Sequence, residues 1–228
     1  MGGCRMGRNT MQKTSSRTLY DYWNNLRGAR SAPDRRDIDP TRIRGALANT
    51  FILELNPDGG FDFRLAGSHL CAAYCRELKS RSFTQLWHSR DRDALDTLIR
   101  AVTEDHAVAL VTFTGTTEVK TGVAFETILL PVRHNGSTQT RLLGAMTALD
   151  APYWFGVQPI TEQRITGLRL IWPDDIAQEQ RHHDIATLVP FEAVHATANG
   201  TPAPIAGRIY GRSARRYAHL AVIDGGRR

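Results

Sequence analysis

The run NTFILEL (49–55), the turn NPDGG (56–60) and the run FDFRLA (61–66) constrain the fold more than any other stretch of the chain. Phe61, Phe63 and Leu65 alternate with Asp62 and Arg64, which makes one side of the second run apolar. A period of two belongs to a half-buried strand, and a Gly-bearing loop between two such runs folds them into an antiparallel hairpin. A hairpin with one apolar face requires a second layer to cover it.

That layer is present in the pattern. Ser68 to about Leu78 reads as a helix. DRDALDTLIRAVTED (91–105) reads as a stronger one, with Asp91 at its N-cap and Ala94, Leu95, Leu98, Ile99 and Val102 along one side. Three further strands follow at AVALVTFTG (107–115), GVAFETILLPVR (122–133) and RLLGAMTALD (141–150), with Asn135-Gly136 marking the turn between the last two. The order β-β-α-α-β-β-β predicts an α+β domain: a five-stranded antiparallel sheet with helices on one face, enclosing a small cavity.

The flanks are organised differently. Residues 1–15 read as a disordered leader. Residues 16–48 form a helical flank in which Leu19, Tyr22, Trp23 and Leu26 stand at i, i+3, i+4 and i+7; Ser15 or Ser16 caps its start and Gly28 suits its end. Asp39 and Pro40 mark the start of a second short helix. After the domain proper (49–150), APYWFG opens an aromatic extension (151–172) that packs on the domain, and RITGLRLIW (164–172) can form a further strand. Residues 173–228 read as a mostly flexible tail, polar and rich in Ala, Pro and Gly.

The net charge of +6 invites a nucleic-acid reading until it is mapped. Residues 1–36 carry +6 and residues 205–228 carry +5, whereas 37–172 carry −1 and 173–204 carry −4. Basic ends on a balanced middle read as solvated tails. No window is apolar enough to span a membrane, the basic start lacks the apolar core of a signal peptide, and Met6 stands where a myristoylation site wants Ser or Thr. Three cysteines make no disulfide framework and point to a reducing cytoplasm.

The stretches LYDYWNNLRGAR, FILEL, FDFRLAGSHLCAAYCREL, SFTQLW, FETILLPV, RLLGAMTAL and PYWFG, and the closing YAHLAVIDGG, give the chain a further character. Taken in order, they resemble the PAS domain superfamily, in particular a bacterial group of small proteins with a single PAS domain. The likeness runs from about Leu19 to Trp172. Two positions depart from it: Cys75 and Ser80 stand where the group often has glycine. The resemblance implies a sensory or regulatory domain that binds a small molecule or a partner protein and often dimerises.

The chemistry-bearing residues are consistent with that expectation. On a regular helix Cys71 and Cys75 lie about 40° apart, whereas His69 is about 200° from Cys71, so the three do not converge on a metal. The two thiols read as buried structural residues. His88, among charges, reads as a solvated side chain, His106 is the other histidine a haem reading would need, and RHHD (181–184) sits in a polar stretch. The pattern around a flavin-reactive cysteine is absent, as are G-x-S-x-G and the glycine-rich phosphate loops. No catalytic residue, metal or cofactor is indicated. Pocket-facing candidates are Leu70, Tyr74, Phe83, Trp87, Leu95 and Phe125, which serve equally as core. Leu19, Tyr22, Trp23 and Leu26 are candidates for a homodimer interface. With no kinase, cyclase or helix-turn-helix segment recognisable, the chain reads as a non-catalytic cytoplasmic regulator acting in trans on a partner protein, with a small ligand in its cavity as an option. The alternative is nucleic-acid binding by the arginine-rich ends, above all GRIYGRSARRYAH (207–219).

Overall fold

The computed structural model describes Met11 and residues 13–173. The chain divides into two units after Ile171, and every element named below belongs to the first. Most of the expected leader and tail, with the RHHD and arginine-rich stretches, lie outside the described residues.

Helix α1 (Thr14–Arg27) begins inside the stretch read as a leader. Neither Ser15 nor Ser16 caps it. Lys13 is the cap residue, and the carboxylate of Glu126, from a distant strand, accepts its backbone N–H at 3.1 Å. Ser15 is occupied with the Nδ2 group of Asn49, which donates to its hydroxyl at 3.1 Å. Gly28, at φ +57°, ends the helix as its sequence position requires. Three single-turn 3-10 segments follow (Arg35–Asp37, Pro40–Ile43 and Leu47–Asn49), the second capped by Asp39, which accepts the N–H of Thr41 at 2.9 Å.

The hairpin forms as β1 (Thr50–Leu55) and β2 (Phe61–Ala66), closing at Leu55 opposite Phe61. Its turn is held by Asn56, whose Oδ1 accepts the N–H groups of Asp58 and Gly60, with Gly59 at φ +83°. Then come α2 (Ser68–Ala73), α3 (Arg92–Glu104), β3 (Val108–Thr116), β4 (Gly122–Pro131), β5 (Arg141–Ala148) and β6 (Glu162–Ile171). All pairings are antiparallel, in the order β2-β1-β5-β4-β3-β6. The sheet thus has six strands rather than five, the extra one lying along β3.

The two faces of the sheet do different work. One face contributes Phe51, Phe63, Phe113, Phe125 and Met146 to a core shared with α2 and α3. Close approach within it is bought by a missing side chain: a Cβ on Gly144 would collide with the ring of Phe51, its cross-strand partner. Alternate residues of β4 and β5, including Ile128, Leu130, Leu143 and Ala145, face the other way and are covered by α1. There Leu19 and Trp23 are fully buried, and the indole N–H of Trp23 donates to the carbonyl of Pro131 at 2.7 Å.

This placement corrects the dimer reading for two of its four residues. A side chain with no exposed surface has none to give a second subunit, so Leu19 and Trp23 belong to their own sheet. Tyr22 and Leu26 remain half-buried, and the Tyr22 hydroxyl accepts the N–H of Asp39 at 2.7 Å. The buried stripe of α1 is Ser16, Leu19, Trp23 and Arg27, rotated from the apolar one, and the Arg27 guanidinium lies over the Trp23 ring, 5.5 Å from its centre.

Candidate functional site

Helix α2 stops five residues short of the expected Leu78, and the reason is local. The N–H of Arg76 donates to the carbonyl of Cys71 at 3.1 Å and that of Cys75 to Ala72 at 3.0 Å, a Schellman ending with Cys75 in the left-handed position at φ +49°. Ser80 repeats the conformation at φ +63°. These are the two positions at which the resembling proteins often carry glycine. A side chain there costs roughly 1–2 kcal/mol.

The early stop also overturns the reading of the thiols. Cys75 is exposed and Cys71 half-buried, so neither is a core residue. The Cys71 sulfur lies 3.7 Å from a Glu77 carboxylate oxygen, and that of Cys75 lies 3.5 Å from the Ala72 carbonyl. His69 faces Asn49 at 3.3 Å. Among the described residues no three His, Cys, Asp or Glu side chains converge as a metal site would require.

Beyond the turn the chain returns to β2 as a short paired segment. Ser80 N–H donates to Phe63 and Phe83 N–H to Phe61, which carries Phe83 into the core. There the aromatic rings run in continuous contact. Phe51, Phe63 and Phe83 meet at 5.6–5.7 Å between centres, Phe83 meets Trp87 at 5.9 Å, Trp87 meets Phe113 at 4.8 Å, and Phe113 stacks on Phe125 at 4.9 Å. All six pocket candidates, Leu70, Tyr74, Phe83, Trp87, Leu95 and Phe125, are brought together in this core and buried. The Tyr74 hydroxyl donates to the Met146 sulfur at 3.6 Å, and burial pushes its pKa well above the ordinary tyrosine value.

The family model described as PAS domain matches residues 11–147. The chain belongs to the PAS domain family. Among solved structures this PAS domain is similar to the LOV domain of the blue-light photoreceptor Aureochrome1 in its light state, with 14% identity, 47% of this chain and 86% of that one covered, and a TM-score of 0.38. It is similar to the PAS domain of an HTR-like protein from Haloarcula marismortui, with 17% identity, 48% and 90% covered, and a TM-score of 0.36. The same holds for the PAS domain of a protein from Colwellia psychrerythraea, with 11% identity, 49% and 98% covered, and a TM-score of 0.37. No curated protein matches the chain. No helix among the described residues is long and apolar enough to cross a membrane.

Sequence reasoning missed the residues that β6 adds to the PAS core. His88 is half-buried rather than solvated: its Nδ1 accepts the N–H of Arg90 at 3.2 Å, while Nε2 lies 3.3 Å from Glu162 and 3.0 Å from Arg164, both on β6. The His88 N–H donates to the carbonyl of Gln163, and Asp91, at the N-cap of α3 as expected, makes no side-chain cap bond there and accepts the N–H of Ile165 at 2.9 Å. His106 lies elsewhere, 3.1 Å from the Thr138 hydroxyl. Gln163 is fully buried opposite Gly115, and its amide atoms have no hydrogen-bond partner among the described residues, nor does the indole N–H of Trp87. A glutamine inside a charged strand gives no sequence signal of such burial.

The loop before β6 links this core to the surface. Trp154 and Ile160 are buried in it, and the Phe155 ring lies 6.1 Å from Phe125. On the same loop Tyr153 is 96% exposed and Val157 77% exposed. The loop is tight: the N–H groups of Val157 and Gln158 both donate to the Trp154 carbonyl at 3.0 Å, and Ile160 N–H donates to Ala73 on α2.

Proposed function

We propose that this PAS domain is a non-catalytic regulatory module that acts through contact with a partner protein. The observation that carries the reading is the loop 151–160. Its residues divide between the aromatic core and solvent, and its two large exposed side chains, Tyr153 and Val157, are mainly apolar. Isolated exposed apolar residues are ordinary, but two on one anchored turn form a knob of the kind interface centres use. A repacking at Phe125 reaches Phe155 directly, and with it the presentation of Tyr153 and Val157. A small ligand entering the core beside Trp87 and Gln163 would act along the same route.

The test pairs two measurements on protein purified from its own host. Native mass spectrometry with an absorption spectrum should show the chain without a chromophore, alone or with a protein partner. A Tyr153→Ser, Val157→Ser variant should keep its circular dichroism and lose that partner. Turnover of a substrate by the pure protein, or a partner complex unaffected by both substitutions, would overturn the proposal.

A further inference from the structure

The segment that follows α2 forms one wall of a cleft of about 440 Å³ at the outer edge of β2. A smaller cleft of about 190 Å³ adjoins it, and the two share Asn56, Asp62 and Ser80. Volumes of this order hold a small molecule. The larger cleft is lined by Arg76, Arg81, Ser80, Ser82, Gln85 and Asp62, and Lys79 lines the smaller.

Three facts give the space a chemical preference. First, the cations are unspent. Arg76 and Lys79 make no ion pair or side-chain hydrogen bond among the described residues, and Arg81 uses only Nε, which donates to the Glu77 carbonyl at 3.0 Å. Second, the facing carboxylates are already engaged: Asp62 Oδ1 accepts Nδ2 of Asn56 at 3.0 Å, and Glu54, which lines the smaller cleft, is paired with Arg141 and Arg64. Third, the backbone conformations that turn Arg76 and Ser80 toward the cleft are left-handed ones held without glycine, at Cys75 and at Ser80 itself. At Ser80 the chain thus keeps a hydroxyl on the cleft wall at a position where glycine would be relaxed.

Two guanidinium forks, an ammonium group and a hydroxyl match the charge and the many acceptor oxygens of a phosphate monoester better than those of a single carboxylate. The free oxygen of Asp62 then accepts from a hydroxyl on the same molecule. We infer that this cleft binds a small phosphomonoester bearing free hydroxyl groups. The inference rests on the cleft and stands apart from the partner contact at Tyr153 and Val157.

The test is a titration of the full chain with ribose 5-phosphate, with inorganic phosphate and with potassium chloride, followed by amide chemical shifts at constant ionic strength. Ribose 5-phosphate should give saturable shifts confined to Asp62 and residues 76–86, with a dissociation constant of about 1 mM or below. Inorganic phosphate should bind at the same place more weakly. Arg76→Gln with Arg81→Gln should weaken ribose 5-phosphate binding by about tenfold or more, which is the loss of about one hydrogen-bonded charge contact, while the thermal midpoint falls by no more than the loss of the exposed Arg81–Glu77 bond allows. Ser80→Gly should weaken binding while raising the midpoint. Shifts that do not saturate, that potassium chloride reproduces, or that survive the double arginine change would overturn the inference. Equal affinity for inorganic phosphate would overturn the part assigned to Asp62.

Discussion

The carboxylate of Glu126, fully buried in β4, accepts the backbone N–H of Lys13 at 3.1 Å and so caps α1 from the sheet. The Lys13 ammonium group donates in turn to the Leu149 carbonyl at 2.6 Å. The helix is therefore started by the surface on which it lies, and a negative charge at its positive end adds to the bond. Glu126→Ala should cost about 1–2 kcal/mol, the usual scale for a lost cap. Amide hydrogen exchange should locate that loss in residues 14–23. Unchanged protection of α1 would show that the cap is dispensable.

Cys75 offers a gain of the opposite sign. Its left-handed backbone is imposed by the Schellman ending, so glycine there should stabilise the domain by about 1 kcal/mol. Alanine should bring no such gain, because it keeps the Cβ that causes the strain. Urea denaturation of Cys75→Gly and Cys75→Ala, with equal slopes, separates the conformational effect from loss of the thiol.

Glu54 and Asp96 should respond to acid in opposite directions. The Arg141 guanidinium donates to Glu54 at 2.6 Å and holds its carboxyl below the ordinary value. A value lowered by folding means stability that is present above the ordinary glutamate range and is lost as pH falls through the folded value. At Asp96 partial burial, helped by the Asp93 charge, raises the value instead, so acidification relieves a cost. Between about pH 6 and about pH 3, Glu54→Gln should flatten the acid loss of stability and Asp96→Asn should steepen it.

The core and the exposed knob should separate in the same way. Phe113, in contact with both Trp87 and Phe125, should cost about 3–5 kcal/mol on change to alanine. Tyr153→Ser should stay within about 0.5 kcal/mol, because almost all of its surface is already in water. Thermal midpoints of the two variants test the division.

Some of this was legible in the sequence. Alternation in FDFRLA and the turn formers of NPDGG fixed both strands of the hairpin to within a residue, because period and turn chemistry agree there. The core residues from Leu70 to Phe125 were legible as apolar positions. What a wheel could not supply was the end of α2: Leu70, Tyr74 and Leu78 keep a helical spacing past a left-handed residue that here is not glycine. Cys75 was misread for that reason. The stripe on α1 was visible, but an aromatic stripe does not say which surface it covers. Glu126 and Asp91 were opaque because their partners lie far along the chain, and Gln163 because the strand that buries it does.

The sixth strand sets the true limit of the folding unit. Residues 108–116 pair with β4 on one side and with β6 on the other. A chain ending near residue 150, just past the family match, would leave those nine residues as an open template rich in Val, Leu and Phe. Such a fragment should associate through that border, visible as light scattering that grows with concentration, whereas a chain carried through Ile171 keeps it closed. In this protein the strand that follows the family match covers the apolar border of β3 and puts a strand carrying Glu162, Arg164 and Arg169 at that edge instead.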